Sequence, residues 1–255
     1  WAPHDSNTAI RSVISPLLVD LIETLDSRTL VLDVGCGPGR VLGFLAKRGI
    51  RCIGTDRSQV SLKLAVERYG CPGAVGDNLC LPFADHAADV VISDGVIHHT
   101  DDPYTAFAEN LRILKPDGRM YLGVYKSSGR YPLLYSFPGG MIRRALKHRW
   151  GRPMVIVFAM LPYFLVHFTR SKGKRTWAGA HNLFYDYFVT PRVAFLRREA
   201  LDRWCAKNDV RIIRYDERPG SNVHSFLLHK KPTAKPQEQM WNRTQHSFEE
   251  EQGTA

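Results

Sequence analysis

No Cys-x-x-Cys pair occurs in the 255 residues, and the five cysteines, Cys36, Cys52, Cys71, Cys80 and Cys205, are an odd number. That argues against a complete disulfide framework and for free thiols in a reducing, cytoplasmic compartment. No His, Cys, Asp and Glu grouping has metal-ligand spacing, so metal-independent chemistry is expected. No internal repeats are visible. No secretory signal stands at the start, where the chain opens on Trp1. The longest apolar run, Met154 to Phe168, is too short for a bilayer-spanning helix and contains Pro162.

What is present is ordinary in bulk. The hydrophobic content is 44%, and the length suits one α/β domain with an insertion or small cap. The net charge of +10 permits nucleic acid or an anionic membrane as partner without requiring either.

The informative stretch is Leu30 to Gly49, "LVLDVGCGPGRVLGFLAKRG". It predicts a strand (Leu30 to Asp33), a turn carrying Gly35, Gly37 and Gly39 with Cys36 inside it, and a helix from about Arg40. Glycines let a backbone take positive φ and approach a ligand, and a helix start favours an anionic group. The pattern points to a nucleotide-like ligand at the carboxyl end of a first strand. The dinucleotide fingerprint is incomplete, because Arg40 stands where its third glycine belongs.

Strand and helix then alternate. "IRCIGTD" predicts a second strand ending at Asp56, an acid placed to accept both hydroxyls of a ribose, followed by Arg57 against an adenine face. Ser58 is the expected N-cap of a helix ending at Tyr69, before Gly70. A short strand through Ala74 and Val75 would bring Asp77 and Asn78 to the same sheet edge. Asp89 to Ser93 predicts a buried strand with Asp94 at its end, and His98 and His99 follow. Asp102 and Pro103 open a helix whose inner face is Phe107, Leu111 and Leu114. Lys115 to Gly118 predicts a turn, and Met120 to Tyr125 the next strand. Alternation of this kind implies right-handed crossovers and a parallel sheet covered on both faces.

"LDVGCGPGR", "GTD", "GDNLCLPF", "DVVISDGVIHHTDDP" and "LRILKPDGR" resemble, in order and spacing, the class I S-adenosylmethionine (SAM)-dependent methyltransferases, within them the methyltransferase domain 11 group. The resemblance covers roughly residues 28 to 125. It implies a doubly wound, Rossmann-like sheet of seven strands, mostly parallel with an antiparallel last strand, and SAM as cofactor. It also implies that Asp33 is the leading acid of the glycine motif and that Asp77 accepts from the adenine amino group. The family more often has alanine at the place of Asn78. The cofactor-binding candidates are therefore Asp33, Gly35, Cys36, Gly37, Gly39, Asp56, Arg57, Asp77, Asn78 and Asp94.

Methyl transfer needs a near-attack pose and, for a hydroxyl or ammonium acceptor, a base. Histidine titrates in the right range. His99 aligns with a histidine found across many substrate classes of the family, which suggests a structural hydrogen bond. His98 stands at the more variable place and is the candidate base.

The expected organisation is an N-terminal helical segment (1–28), a SAM-binding core (29–125), a helical insertion forming an acceptor cap (126–191), a return to the sheet domain (192–231) and a disordered tail (232–255). In the leading segment Pro16 should kink or split a helix running from Ile10 to Leu25. In the insertion, Met154 to Phe168 reads as a buried cap helix or, with Arg143, Arg144, Lys147, Arg149 and Arg152 before it and Arg170, Lys172, Lys174 and Arg175 after it, as a peripheral contact with anionic lipid. Phe184 and Phe188 read as core, and Tyr185 and Tyr187 as possible pocket walls. Three functions stay open: a methyltransferase for a small-molecule or lipid-like acceptor, a tRNA or other RNA methyltransferase, and a non-catalytic partner protein that keeps the fold.

Overall fold

A computed structural model describes residues 14–170, 177–217 and 221–232. The start of the leading helix at Ile10, the basic residues Lys172, Lys174 and Arg175, and the expected disordered tail from residue 233 onwards lie outside the described residues. Helix α1 is Pro16–Glu23. Pro16 occupies its first turn, where a missing N–H costs nothing, so it starts the described helix and does not interrupt it.

Seven strands form one sheet in the order β3-β2-β1-β4-β5-β7-β6. They are β1 (Leu30–Val34), β2 (Arg51–Asp56), β3 (Gly73–Val75), β4 (Ala88–Asp94), β5 (Leu114–Tyr125), β6 (Val210–Asp216) and β7 (Val223–Lys230). The strands β3, β2, β1, β4 and β5 pair in parallel, and β7 runs antiparallel to both of its neighbours. Helices α2 (Arg40–Lys47), α3 (Gln59–Tyr69) and α4 (Pro103–Ile113) make the crossovers. The capping residues behave as their chemistry dictates. The Ser58 hydroxyl accepts from the Ser61 amide, and the Asp102 carboxylate accepts from the amides of Tyr104 and Thr105.

One boundary departs from the sequence reading. Lys115 to Gly118 lies within β5 as an irregularity, and Leu114, expected on the α4 face, begins the strand. The register slips between Ala88 and Val90, and Asp117 takes a φ of +63°. The turn chemistry is used to kink a strand.

Two apolar layers cover the sheet, one under α1, α2 and α3 and the other under α4 and α10 (Arg198–Lys207). A third, separate core lies in the insertion, around Val155, Phe164, Ala180, Phe184 and Phe188. The insertion is helical: α5 (Tyr131–Ser136), α6 (Pro138–Ala145), α7 (Gly151–Val155), α8 (Leu161–Arg170) and α9 (Trp177–Phe184). A π-turn, Ile156–Met160, joins α7 to α8 immediately before Pro162, and another, Tyr185–Val189, extends α9. The chain leaves the sheet at Lys126 and returns beside it at Leu196, where the two residues form a parallel bridge. The cap is thus tethered at one narrow neck.

The buried reading of Met154 to Phe168 does not survive. Gly151–Thr169 is a continuous 19-residue helix, and only 17% of its most apolar 18-residue stretch is buried. It is the one helix among the described residues long and apolar enough to cross a membrane by length and composition. The apolar run seen in sequence is only part of it.

Candidate functional site

The site forms where β1 lies between β2 and β4, the point at which the strand order reverses and a crevice opens. The Gly35 and Cys36 amides donate to the Thr55 carbonyl at 2.7 and 2.9 Å, bending the chain back over β2. Gly35 has φ +70°, and a Cβ there would sit 2.4 Å from Val96 Cγ2. Gly37, at φ +52°, has no heavy atom within 4 Å of where a Cβ would stand, so its face of the loop is open. Its amide donates to Asp56 Oδ2 at 2.8 Å, while the Ser58 amide donates to Asp56 Oδ1 at 2.8 Å. Each Asp56 oxygen keeps lone-pair capacity for a further donor.

Gly35, Asp56, Arg57, Asp77, Asn78 and His99 share the lining of one crevice, with Asp101 and Arg192 also on its wall. Asp77 Oδ1 accepts from the Leu79 amide, and Arg57 approaches its other oxygen at 3.8 Å from an exposed position. Asn78 is the departure. Its Oδ1 is taken by the Asn110 amide group at 3.0 Å, so its side chain is turned toward α4. The loop behind it is pinned by Arg112, which donates to the carbonyls of Leu81 and Phe83, and by Glu109, which accepts from the Leu81 amide.

Asp33 and Asp94 lie deeper. Arg40 binds Asp94 at 2.7 Å. Asp33 is 3% exposed, and burial pushes its carboxyl up to about 7 against the opposing pull of Arg40. Its Oδ2 has no hydrogen-bond partner among the described residues. Cys36 is buried with Sγ 3.5 Å from the Gly37 carbonyl, and burial raises its thiol far above the ordinary range. It packs behind the loop, where a Cβ on Gly54 would meet its Sγ at 2.9 Å.

The two histidines differ sharply. His98, the candidate base by sequence, is fully buried, and neither ring nitrogen has a hydrogen-bond partner among the described residues. Desolvation, with His99 as a second cause, holds it well below its ordinary pKa, so it is neutral. Its ring lies 4.0 Å from that of Tyr125. His99 does carry the expected structural hydrogen bond, 3.0 Å from Nδ1 to the Arg192 carbonyl, yet it also lines the crevice. That bond requires the proton on Nδ1 and leaves the Nε2 lone pair free to act. Nε2 lies 4.0 Å from Asp186 Oδ1, and the Tyr125 hydroxyl donates to Asp186 Oδ2 at 2.6 Å. Burial raises the Asp186 carboxyl, with Tyr125 and His99 acting against it.

Asp186, Arg192 and Tyr125 escaped the sequence reading as site residues. Asp186 had a visible signal: it is the only Asp or Glu in residues 118–198. Arg192 had none, because nothing local marks a residue that the neck of the cap brings to the crevice. Among Tyr185 and Tyr187, the former lines a small cavity inside the cap and the latter packs on Tyr131 near the neck.

These features fit the nucleoside cofactor named above. The partnerless Asp33 Oδ2 suits a cationic donor, the open face of Gly37 suits close backbone approach, and Asp56 suits a vicinal diol. Residues 32–122 match the methyltransferase domain family model, methyltransferase domain 11. The chain carries a class I SAM-dependent methyltransferase domain. The match to a SAM-dependent methyltransferase structure from Methanosarcina mazei has a TM-score of 0.54 at 15% identity, covers 86% of this chain and 99% of that one, and speaks to the fold. A 37.1 kDa protein of transposon Tn4556 from Streptomyces fradiae is 40% identical over 112 residues, 40% of this chain and 32% of its own length. The mouse tRNA (carboxymethyluridine(34)-5-O)-methyltransferase ALKBH8 is 33% identical over 133 residues, 51% of this chain and 19% of its own length. The chain therefore spans a third or less of these two curated relatives. SAM is the cofactor of this methyltransferase fold.

Proposed function

We propose that this methyltransferase domain acts on a small-molecule or lipid-like acceptor whose nucleophile is an oxygen or nitrogen, with His99 as base. The observation that supports this reading most is the His99–Asp186–Tyr125 arrangement, in which the sheet supplies the base and the cap supplies the carboxylate. In it, Gly35, Gly37, Asp33, Asp56 and Asp77 hold the cofactor. Bound SAM supplies an electrophilic methyl group for in-line displacement. The acceptor is held against it by the crevice wall, and positioning of this kind is worth about 7–11 kcal/mol of barrier. As the acceptor attacks, its proton passes to His99 Nε2. The Arg192 carbonyl keeps Nδ1 protonated throughout, and the Asp186 carboxylate stabilises the resulting imidazolium. His98, neutral and buried, acts through packing: it sets the Tyr125 ring, which in turn orients Asp186.

The test is SAM-dependent turnover on quinones, lipids, glycosides and tRNA, repeated with His99→Ala. Methylation of an apolar acceptor, lost in the variant, supports the reading. Methylation of tRNA alone replaces it with the second reading, which the likeness to a tRNA methyltransferase over half of this chain favours.

A further inference from the structure

Among the described residues, the outer surface of the cap is built unlike the rest. Fifteen of the nineteen exposed large hydrophobic residues among the described residues lie between Leu133 and Tyr185. On the helix from Gly151 to Thr169 they fall at helical spacing: Met154, Val157, Phe158, Leu161 and Leu165, between 44% and 75% exposed. The opposite face, Val155 and Phe164, is buried in the cap core. A helix with one face in a core normally shows water a polar face, and this one shows it a second apolar face.

Charge follows the same boundary. Residues 126–185 hold eleven of the 35 Lys and Arg and none of the 25 Asp and Glu, which leaves the rest of the chain close to balance. Arg144, Lys147, Arg149 and Arg152 are exposed just before and at the start of the apolar helix. Trp150 and Trp177, 66% and 59% exposed, stand before it and at the start of α9. An apolar stripe with exposed cations at its N-terminal end and tryptophans beside it complements a bilayer whose headgroups are anionic.

We infer that the cap docks on an anionic phospholipid surface, with the helix from Gly151 to Thr169 lying in the plane of the headgroups. It lies along the surface and does not span, because its inner face is committed to the cap core. A nucleic acid is a poorer match: the cations suit phosphates, but a stripe of Met, Val, Phe and Leu offers RNA neither hydrogen bonds nor a set of stacking rings. A second copy of the chain is also a poorer match, because a two-fold contact through the stripe would bring like charges together. The inference goes beyond the proposed acceptor and holds whether that acceptor is a lipid or a soluble metabolite.

The experiment is co-sedimentation of the full chain with phosphatidylcholine vesicles, with and without about a third phosphatidylglycerol. The expected result is binding to the anionic vesicles only, weakened by salt, with a blue shift of tryptophan emission. Phe158→Asp with Leu165→Asp, and separately Arg149→Glu with Arg152→Glu, should each lower the bound fraction at least tenfold. SAM should raise the melting temperature of all three proteins alike, which shows that they are folded. No binding to anionic vesicles, binding that the folded variants retain, a solution dimer dissolved by Leu165→Asp, or tRNA binding lost in the same variants would each overturn it. None of these readouts involves turnover, so the acceptor assignment stands or falls separately.

Discussion

The sheet domain and its cap solve opposite problems with the same amino acids. In the sheet domain, Val31, Leu32, Val90, Val91 and Ile92 are buried from both sides, and several of the polar residues that remain inside, Asp33, Thr55, Ser93 and Lys126, lie at or just past the carboxyl ends of parallel strands. In the cap, Val155, Phe164, Phe184 and Phe188 make a small core, while Phe158 and Leu165 face outward. Burial makes an apolar strand self-explanatory, whereas an apolar residue in water requires something to cover it. The lesson is that hydrophobicity alone does not say which side of a helix is the inside.

The largest effect is expected at the junction of the two regions. His99→Ala should lower turnover by about 10²–10⁴-fold with SAM binding unchanged. Asp186→Asn should give a smaller loss of the same kind. A His98→Ala loss of equal size with normal stability would move the base back to the buried ring. Within the cap, Phe164→Ala should cost about 3–5 kcal/mol of stability by leaving a cavity, whereas Phe158→Ser should stay within about ±0.5 kcal/mol. Chemical denaturation of both variants measures the contrast, and equal costs would show that the outer face is covered by protein.

The motif loop offers a finer comparison. Gly35→Ala should destabilise the fold by more than the roughly 1–2 kcal/mol of a left-handed φ, because its Cβ would also strike Val96. Gly37→Ala meets no neighbour, so its cost should be the φ term alone, with a larger loss in SAM affinity than in melting temperature.

The smallest effect concerns pH. Burial raises the Asp33 carboxyl to about 7 in the folded protein, while the unfolded chain releases its proton near the ordinary 3.8. Between these values the folded state binds more protons, so this carboxyl's contribution to stability falls as pH rises through that window. Melting temperature against pH should lose that downward component in Asp33→Asn.

Much of the sheet domain was legible because its signals are local. Ser58, Asp102 and Gly70 mark helix ends by their own chemistry, and the glycine turn announces a loop that only small residues can make. Asp56 and Asp77 could be placed at one edge because the first ends β2 and the second follows β3 by two residues. Asn78 could not, since its partner Asn110 lies on another element. The order of His98 and His99 was illegible for the same reason. Adjacent residues point in different directions, and only the position of Tyr125 and the Arg192 carbonyl decides which ring is enclosed.

By itself the sequence determined the strand and helix alternation, the glycine loop after β1 and the acid that ends β2, because periodicity, capping and glycine geometry act over a few residues. The tertiary structure alone decided which histidine lines the crevice, that Arg192 lines it too while Asp186 stands beside that histidine, and that the apolar helix of the cap turns a face to the outside. Those outcomes depend on where a narrow neck between Lys126 and Leu196 sets one group of helices against the end of a sheet, a long-range arrangement that no local pattern encodes.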